Sequence, residues 1–152
     1  MLFLLSESSS QVTYKTRVKY LYSSEFNQLA SNYLSQTGKK FYYLSFTHGL
    51  LSPEEEIEPY SVKRLSGASK DFWALLVEIQ IMDIFGKPGK VCLLYSEDCY
   101  GNLEKRLRKY YTLYSPIKNF SSNKLKILWL SGIIQREIEY RLCMRSKLEG
   151  GR

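Results

Sequence analysis

KFYYLSFTHGLLSPEEEIEPY, residues 40–60, decides how this chain reads. From Lys40 to Phe46 apolar and aromatic residues follow one another at the length of a buried strand. His48-Gly49 reads as the turn leaving that strand, and His48 is the only histidine in the chain. In open α/β sheets ligands sit beyond the carboxyl ends of the strands. The polar segment after Leu44-Ser45 is therefore where a site is expected.

Working outward, runs of strand length alternate with helical patterns. Leu2 to Leu5 reads as a first strand, Val91 to Tyr95 as a third, and Tyr111 to Tyr114 as a short one. Phe26, Leu29, Ala30, Tyr33 and Leu34 recur at helical spacing, with Ser24 as cap and Thr37-Gly38-Lys39 as stop. Ser52 followed by Pro53 and three acids predicts a short helical turn. A strongly apolar helix from Ser69 to Phe85 is expected to be largely buried, since apolar residues surround most of its circumference. Cys99 to Tyr111 predicts an amphipathic helix. Leu125 to Leu130 reads as a last strand, with Gly132 opening a final helix to about Ser146. This alternation predicts an α/β fold, a mainly parallel sheet flanked by helices on both faces, in one domain over residues 1–148. Residues 149–152 are expected to fray.

At 152 residues the chain is long enough for one substantial core. No apolar run approaches the roughly 18 residues of a membrane span, so no membrane partner is expected. Met1 to Leu5 lacks the basic start and the length of a signal peptide. Cys92, Cys99 and Cys143 share no metal-ligand spacing and suit reduced thiols, pointing to the cytoplasm. The net charge of +7 concentrates in Lys105, Arg106, Arg108 and Lys109, and again in Arg136, Arg141, Arg145 and Lys147. Such a surface attracts polyanions, so nucleic acid or nucleotide is the expected partner, and the first cluster a candidate phosphate contact. A solvated helix face accounts for the same charges without a ligand.

Four expected strands run into serines: Ser6, Ser45, Ser96 and Ser131. Parallel strands would gather them on one edge with Glu7, His48, Glu97, Asp98 and Arg136. Free N–H groups at a helix start near Gly132 suit a phosphate, and Arg136 would complete that site. The bland reading is that the serines cap helices and end strands. His48 reads either as a proton carrier or as a histidine bonded to a backbone carbonyl. No P-loop, no G-x-G-x-x-G and no G-x-S-x-G occurs, and one histidine makes a zinc site improbable, so no cofactor or metal is expected.

These residues resemble the YaaA family of peroxide-stress proteins and its shorter phage and archaeal relatives. The matching pieces are Leu44-Ser45, His48-Gly49-Leu50-Leu51, Pro53, Pro59-Tyr60, Phe72-Trp73, Leu4-Leu5-Ser6, Leu21-Tyr22, Tyr95 to Tyr100, and Gly132 to Arg136. Ser9 stands where that family commonly has a lysine, and the family's helix-hairpin-helix-like insertion has no counterpart here. The resemblance implies a YaaA-like α/β core with a polar cleft, association with DNA more than RNA, and a stress response. Ser6, Ser45, Gly49, Tyr60, Ser96, Gly132 and Arg136 would bind the ligand.

Three functions follow as expectations. One is a small nucleic-acid-binding protein with a polar cleft. Another is an enzyme acting on a nucleotide or nucleobase by N-glycosidic cleavage or exchange, with His48, Glu97 and Asp98 catalytic. The third is a viral or defence-related interaction protein with a degenerate cleft.

Overall fold

The computed structural model describes residues 1–150, so half of the tail expected to fray, 151–152, lies outside the described residues. The chain divides into two compact units, Met1–Asn119 and the segment from Phe120 onward. The first contains β1 (Leu2–Ser6), β2 (Thr16–Arg17), α1 (Val18–Leu21), α2 (Glu25–Gln36), β3 (Lys40–Ser45), β4 (Gly49–Leu51) and β5 (Glu56–Ile57). It continues through α3 (Gly67–Phe85), β6 (Gly89–Leu94), a 3₁₀ turn (Asp98–Tyr100), α4 (Gly101–Leu107) and β7 (Tyr111–Tyr114). The second contains α5 (Asn123–Glu149).

The fold is α/β with a mainly parallel five-stranded sheet, ordered β4-β3-β1-β6-β7. β1 lies between β3 and β6, parallel to both, which is why Leu2, Leu4 and Leu5 are all buried. β7 continues the parallel sheet beside β6, and β4 closes the other edge antiparallel to β3. The chain passes from β1 to β3 on one side, then returns past β1 to β6. In open sheets such a reversal marks where ligands bind, here the carboxyl ends of β1 and β6. Leu2, Leu4, Leu44, Val91 and Leu93 pack with Trp73, Val77 and Ile81 of α3 and with Leu103 and Leu107 of α4.

Local rules place α2 as expected. Ser24 Oγ accepts the Asn27 N–H at 3.3 Å, and Gly38 at φ +64° ends the helix. Elsewhere the structure corrects the sequence reading. The segment after Ser52 is a turn and not a helix. Val18 and Lys19 take the carbonyls of Glu55 and Pro53 at 2.9 and 3.0 Å, and Glu56–Ile57 then pairs with Thr16–Arg17. α3 is not buried all round, since Phe72 is 73% exposed and Leu76 and Ile79 about half exposed. A helix lying on a sheet buries one stripe, here Trp73, Ala74, Val77 and Ile81, whatever the opposite side carries. The helix expected over 99–111 is shorter, a 3₁₀ turn followed by α4.

The second unit holds the largest correction. Residues 125–130 are not a strand, and Gly132 does not open a helix. Both lie inside α5, which Ser122 starts by accepting the Leu125 N–H at 3.3 Å. With that cap upstream and no strand paired to 125–130, helical hydrogen bonding runs straight through; an interior glycine weakens a helix by about 1 kcal/mol without ending it. Glu149 is still helical. Among the described residues no helix is long and apolar enough to cross a membrane.

Candidate functional site

β1, β3 and β6 bring their carboxyl ends to one edge. β1 ends in Ser6 and β3 in Ser45, both buried, while Ser96 follows β6 half-buried. Ser131 does not join them by the predicted route, because it lies within α5 and not at a strand end.

Beside Ser6 stands Glu7, only 7% exposed. Its Oε1 accepts the Phe46 N–H at 3.1 Å and its Oε2 accepts the Tyr60 hydroxyl at 2.5 Å. Burying a carboxylate is costly unless it is paired or hydrogen-bonded. Among the described residues no basic side chain forms an ion pair with it, so these two donors carry that compensation. The carboxylate keeps further acceptor positions.

Tyr60 is the hub. Its hydroxyl lies 2.6 Å from the Tyr22 hydroxyl and 3.1 Å from Ser45 Oγ, besides donating to Glu7. Its backbone N–H donates to Gln11 Oε1 at 2.9 Å, and Gln11 Nε2 donates to the Ser8 carbonyl at 2.9 Å. Gln11 thus ties the loop after β1 to the Pro59-Tyr60 segment. Burial, and then the hydrogen bond to Glu7, hold the Tyr60 phenol above its ordinary pKa. Burial does the same to Tyr22, with the neighbouring Tyr60 adding to it.

Ser45 Oγ accepts the N–H groups of Thr47 and His48 at 3.2 and 3.1 Å, which shapes the turn out of β3. That turn sets the exposed His48 ring edge-on to Tyr60, with centroids 4.7 Å apart. Ser6 Oγ pairs with the Tyr100 hydroxyl at 2.7 Å. Beneath, Phe46, Trp73, Tyr95 and Tyr100 form an aromatic floor with centroids 4.6–5.6 Å apart. Trp73 Nε1 donates to the Ser45 carbonyl at 2.7 Å, fixing α3 to the end of β3.

Ser6, Ser45, His48 and Tyr60 are therefore brought together. Gly49 opens β4 at φ +75° against Gln80. Ser96, Glu97 and Asp98 form the loop after β6, where Glu97 and Asp98 are exposed and the Ser96 N–H turns back to Glu97 Oε2 at 3.1 Å. Gly132 and Arg136 do not form a helix-start anion site, since Arg136 Nε donates to the Gly132 carbonyl at 3.3 Å within α5. Of the basic cluster, Arg106 pairs with Glu78 at 2.9 Å and Arg108 lies 3.9 Å from Glu104, while Lys105 and Lys109 are exposed. Among the described residues no three His, Cys, Asp or Glu side chains gather as a metal site.

Sequence reasoning counted Glu7 among the edge carboxylates and gave it no role. It gave Tyr22 and Tyr100 none either. The available signal was position, since Glu7 directly follows the serine that ends β1.

The chain belongs to the family of unknown function DUF6884, which matches residues 2–131 and so includes every element of this edge. Nothing among the curated proteins or the solved structures matches the chain.

Proposed function

We propose that this DUF6884 protein is a small cytoplasmic nucleic-acid-binding protein that receives one base in the crevice at the carboxyl ends of β1, β3 and β6. The observation that carries the reading is Glu7. A buried carboxylate with spare acceptor positions and no cation suits the N–H edge of a nucleobase. His48 and Tyr60 stand beside it as rings on which a base stacks. The reversal of strand order at β1 and β6 puts the crevice where open sheets bind ligands. The net charge of +7 favours a polyanion. In this reading the core is YaaA-like, with α2 on one face of the sheet and α3 and α4 on the other.

Labelled single strands carrying a base or an abasic position at one site test the proposal, read by fluorescence anisotropy. The base-bearing strand binds more tightly, and Glu7→Gln removes that difference. Equal affinity for the two strands in the unaltered protein overturns the reading.

The half-buried Tyr60–Glu7 contact favours one second reading, an enzyme acting on a nucleotide or nucleobase. Glu7, rather than the exposed Glu97 or Asp98, would then face a cationic sugar-like transition state, with His48 moving a proton. Release of free base from oligonucleotides by the unaltered protein, lost in Glu7→Gln, supports it. No release, or equal release, removes it.

A further inference from the structure

An open cavity of about 290 Å³ beside α3 and α4 is lined by Asp71, Asn102, Lys105, Arg106 and, from the turn after α4, Lys109. Asn102, Lys105 and Arg106 recur at i, i+3 and i+4 on one face of α4, and Lys109 follows in the turn after it. Arg106 is anchored on its far side. Its Nη1 donates to Glu78 Oε2 at 2.9 Å, and that carboxylate is buried. A guanidinium held this way has its orientation fixed and keeps other N–H donors. Asp71 is engaged too, its Oδ1 accepting from Asn102 Nδ2 at 2.5 Å. Lys105 and Lys109 form no ion pair or hydrogen bond among the described residues. Two unpaired ammonium groups beside a fixed guanidinium favour an anion between them.

The geometry points to a phosphoryl-binding subsite in the α3–α4 cavity, formed by Lys105, Arg106 and Lys109 and bounded by Asp71. The carboxylate of Asp71 repels a second phosphate at its end, so the cavity holds one. α3 and α4 both begin at the sheet edge that carries Glu7, and Asp71 and Asn102 of the cavity lie near their starts. A strand whose base enters the crevice would run on toward these helix starts, which is how the cavity would receive one of its phosphates. The inference rests on the nucleic-acid reading above for the source of the phosphate, a phosphodiester of a strand or the phosphomonoester of a free nucleotide.

The test titrates a fluorescein-labelled 12-nucleotide single strand and, separately, AMP over a series of salt concentrations. Lys105→Ala/Lys109→Ala is compared with the unaltered protein, with Lys105→Arg/Lys109→Arg, and with Lys39→Ala/Lys90→Ala. The last pair removes two exposed charges at the opposite edge of the sheet. Loss of the one phosphate contact lowers the slope of log affinity against log salt by about 0.7 for the single strand. The arginine pair restores it and the opposite-edge pair leaves it unchanged. Loss with the strand alone assigns a phosphodiester, and loss with AMP assigns a phosphomonoester. An unchanged slope and unchanged AMP affinity, or equal loss in the opposite-edge pair, overturns the subsite. Glu7→Gln separates this from the base reading, because it alters base preference and leaves the salt slope alone.

Discussion

Tyr60 donates its hydroxyl to Glu7 at 2.5 Å across 53 positions of sequence, and this contact closes the strand edge into a site. Tyr60→Phe keeps the ring and its packing against His48. It strips Glu7 Oε2 of its donor and Tyr22 of its partner. A buried polar group left unmatched costs about 1–3 kcal/mol. Urea unfolding of Tyr60→Phe therefore shows a lower midpoint at unchanged slope. Tyr14→Phe, at a 63% exposed position, stays within about 0.5 kcal/mol of the parent. A Tyr60→Phe midpoint equal to that of Tyr14→Phe would show that the Glu7 contact contributes nothing to stability.

Alkali tests the same network collectively. Burial raises the hydroxyl pKa of Tyr22, Tyr43, Tyr60, Tyr95 and Tyr100 above the ordinary 10.0. The native state thus binds protons that the unfolded chain releases near pH 10. Their contribution to stability is full below pH 10 and is lost as pH rises from there toward the folded values. Tyrosinate absorbance near 295 nm should rise in two stages, exposed rings first and these five together with loss of helical circular dichroism. A single smooth rise centred near pH 10, with the helix signal intact, would contradict the buried network.

Much of the first unit is legible in the sequence because its signals are local. The unbroken apolar runs of β1, β3 and β6 announce buried strands, and Ser24 and Gly38 bracket α2. Reasoning about strand ends singles out Ser6 and Ser45, whereas Tyr60 enters only through the Pro59-Tyr60 piece of the family resemblance. The same reasoning puts Glu7 at that edge without a role, because a carboxylate after a strand reads as surface until Tyr60 and the Phe46 N–H reach it from distant positions. The exposed side of α3 is equally illegible, since its residues are as apolar as the buried stripe and only the placement of the sheet separates them. The run 125–130 misleads because its apolar residues carry no sign of whether a strand stands beside them.

The three thiols should react in order of exposure. Cys143 is exposed, Cys99 half-buried and Cys92 buried. Burial also pushes the Cys92 thiol up to about 11, which keeps it protonated at neutral pH. Ellman's reagent at pH 8 should label Cys143 first and Cys99 more slowly, with Cys92 reacting only as the chain unfolds. Mass spectrometry of the labelled peptides checks the order, and early labelling of Cys92 would mean that β6 opens in the native state.

Gly49→Ala tests the turn that carries His48. Gly49 sits at φ +75°, where an alanine costs about 1–2 kcal/mol. A Cβ there would also lie 2.9 Å from Gln80 Oε1, the atom that accepts the Leu50 N–H at 3.0 Å. Gln80 must move and that hydrogen bond weakens, adding about 1 kcal/mol. The loss falls on the hairpin between β3 and β4, so the variant should both melt earlier and release His48 from its edge-on contact with Tyr60. Gly101→Ala is the control, since its Cβ meets open space within α4 and its stability should match or exceed the parent's. Thermal unfolding gives the first readout, and the His48 imidazole proton shifts, which feel the Tyr60 ring current, give the second. A Gly49→Ala protein with the parent's melting temperature and unmoved His48 resonances would show that the hairpin does not position the histidine.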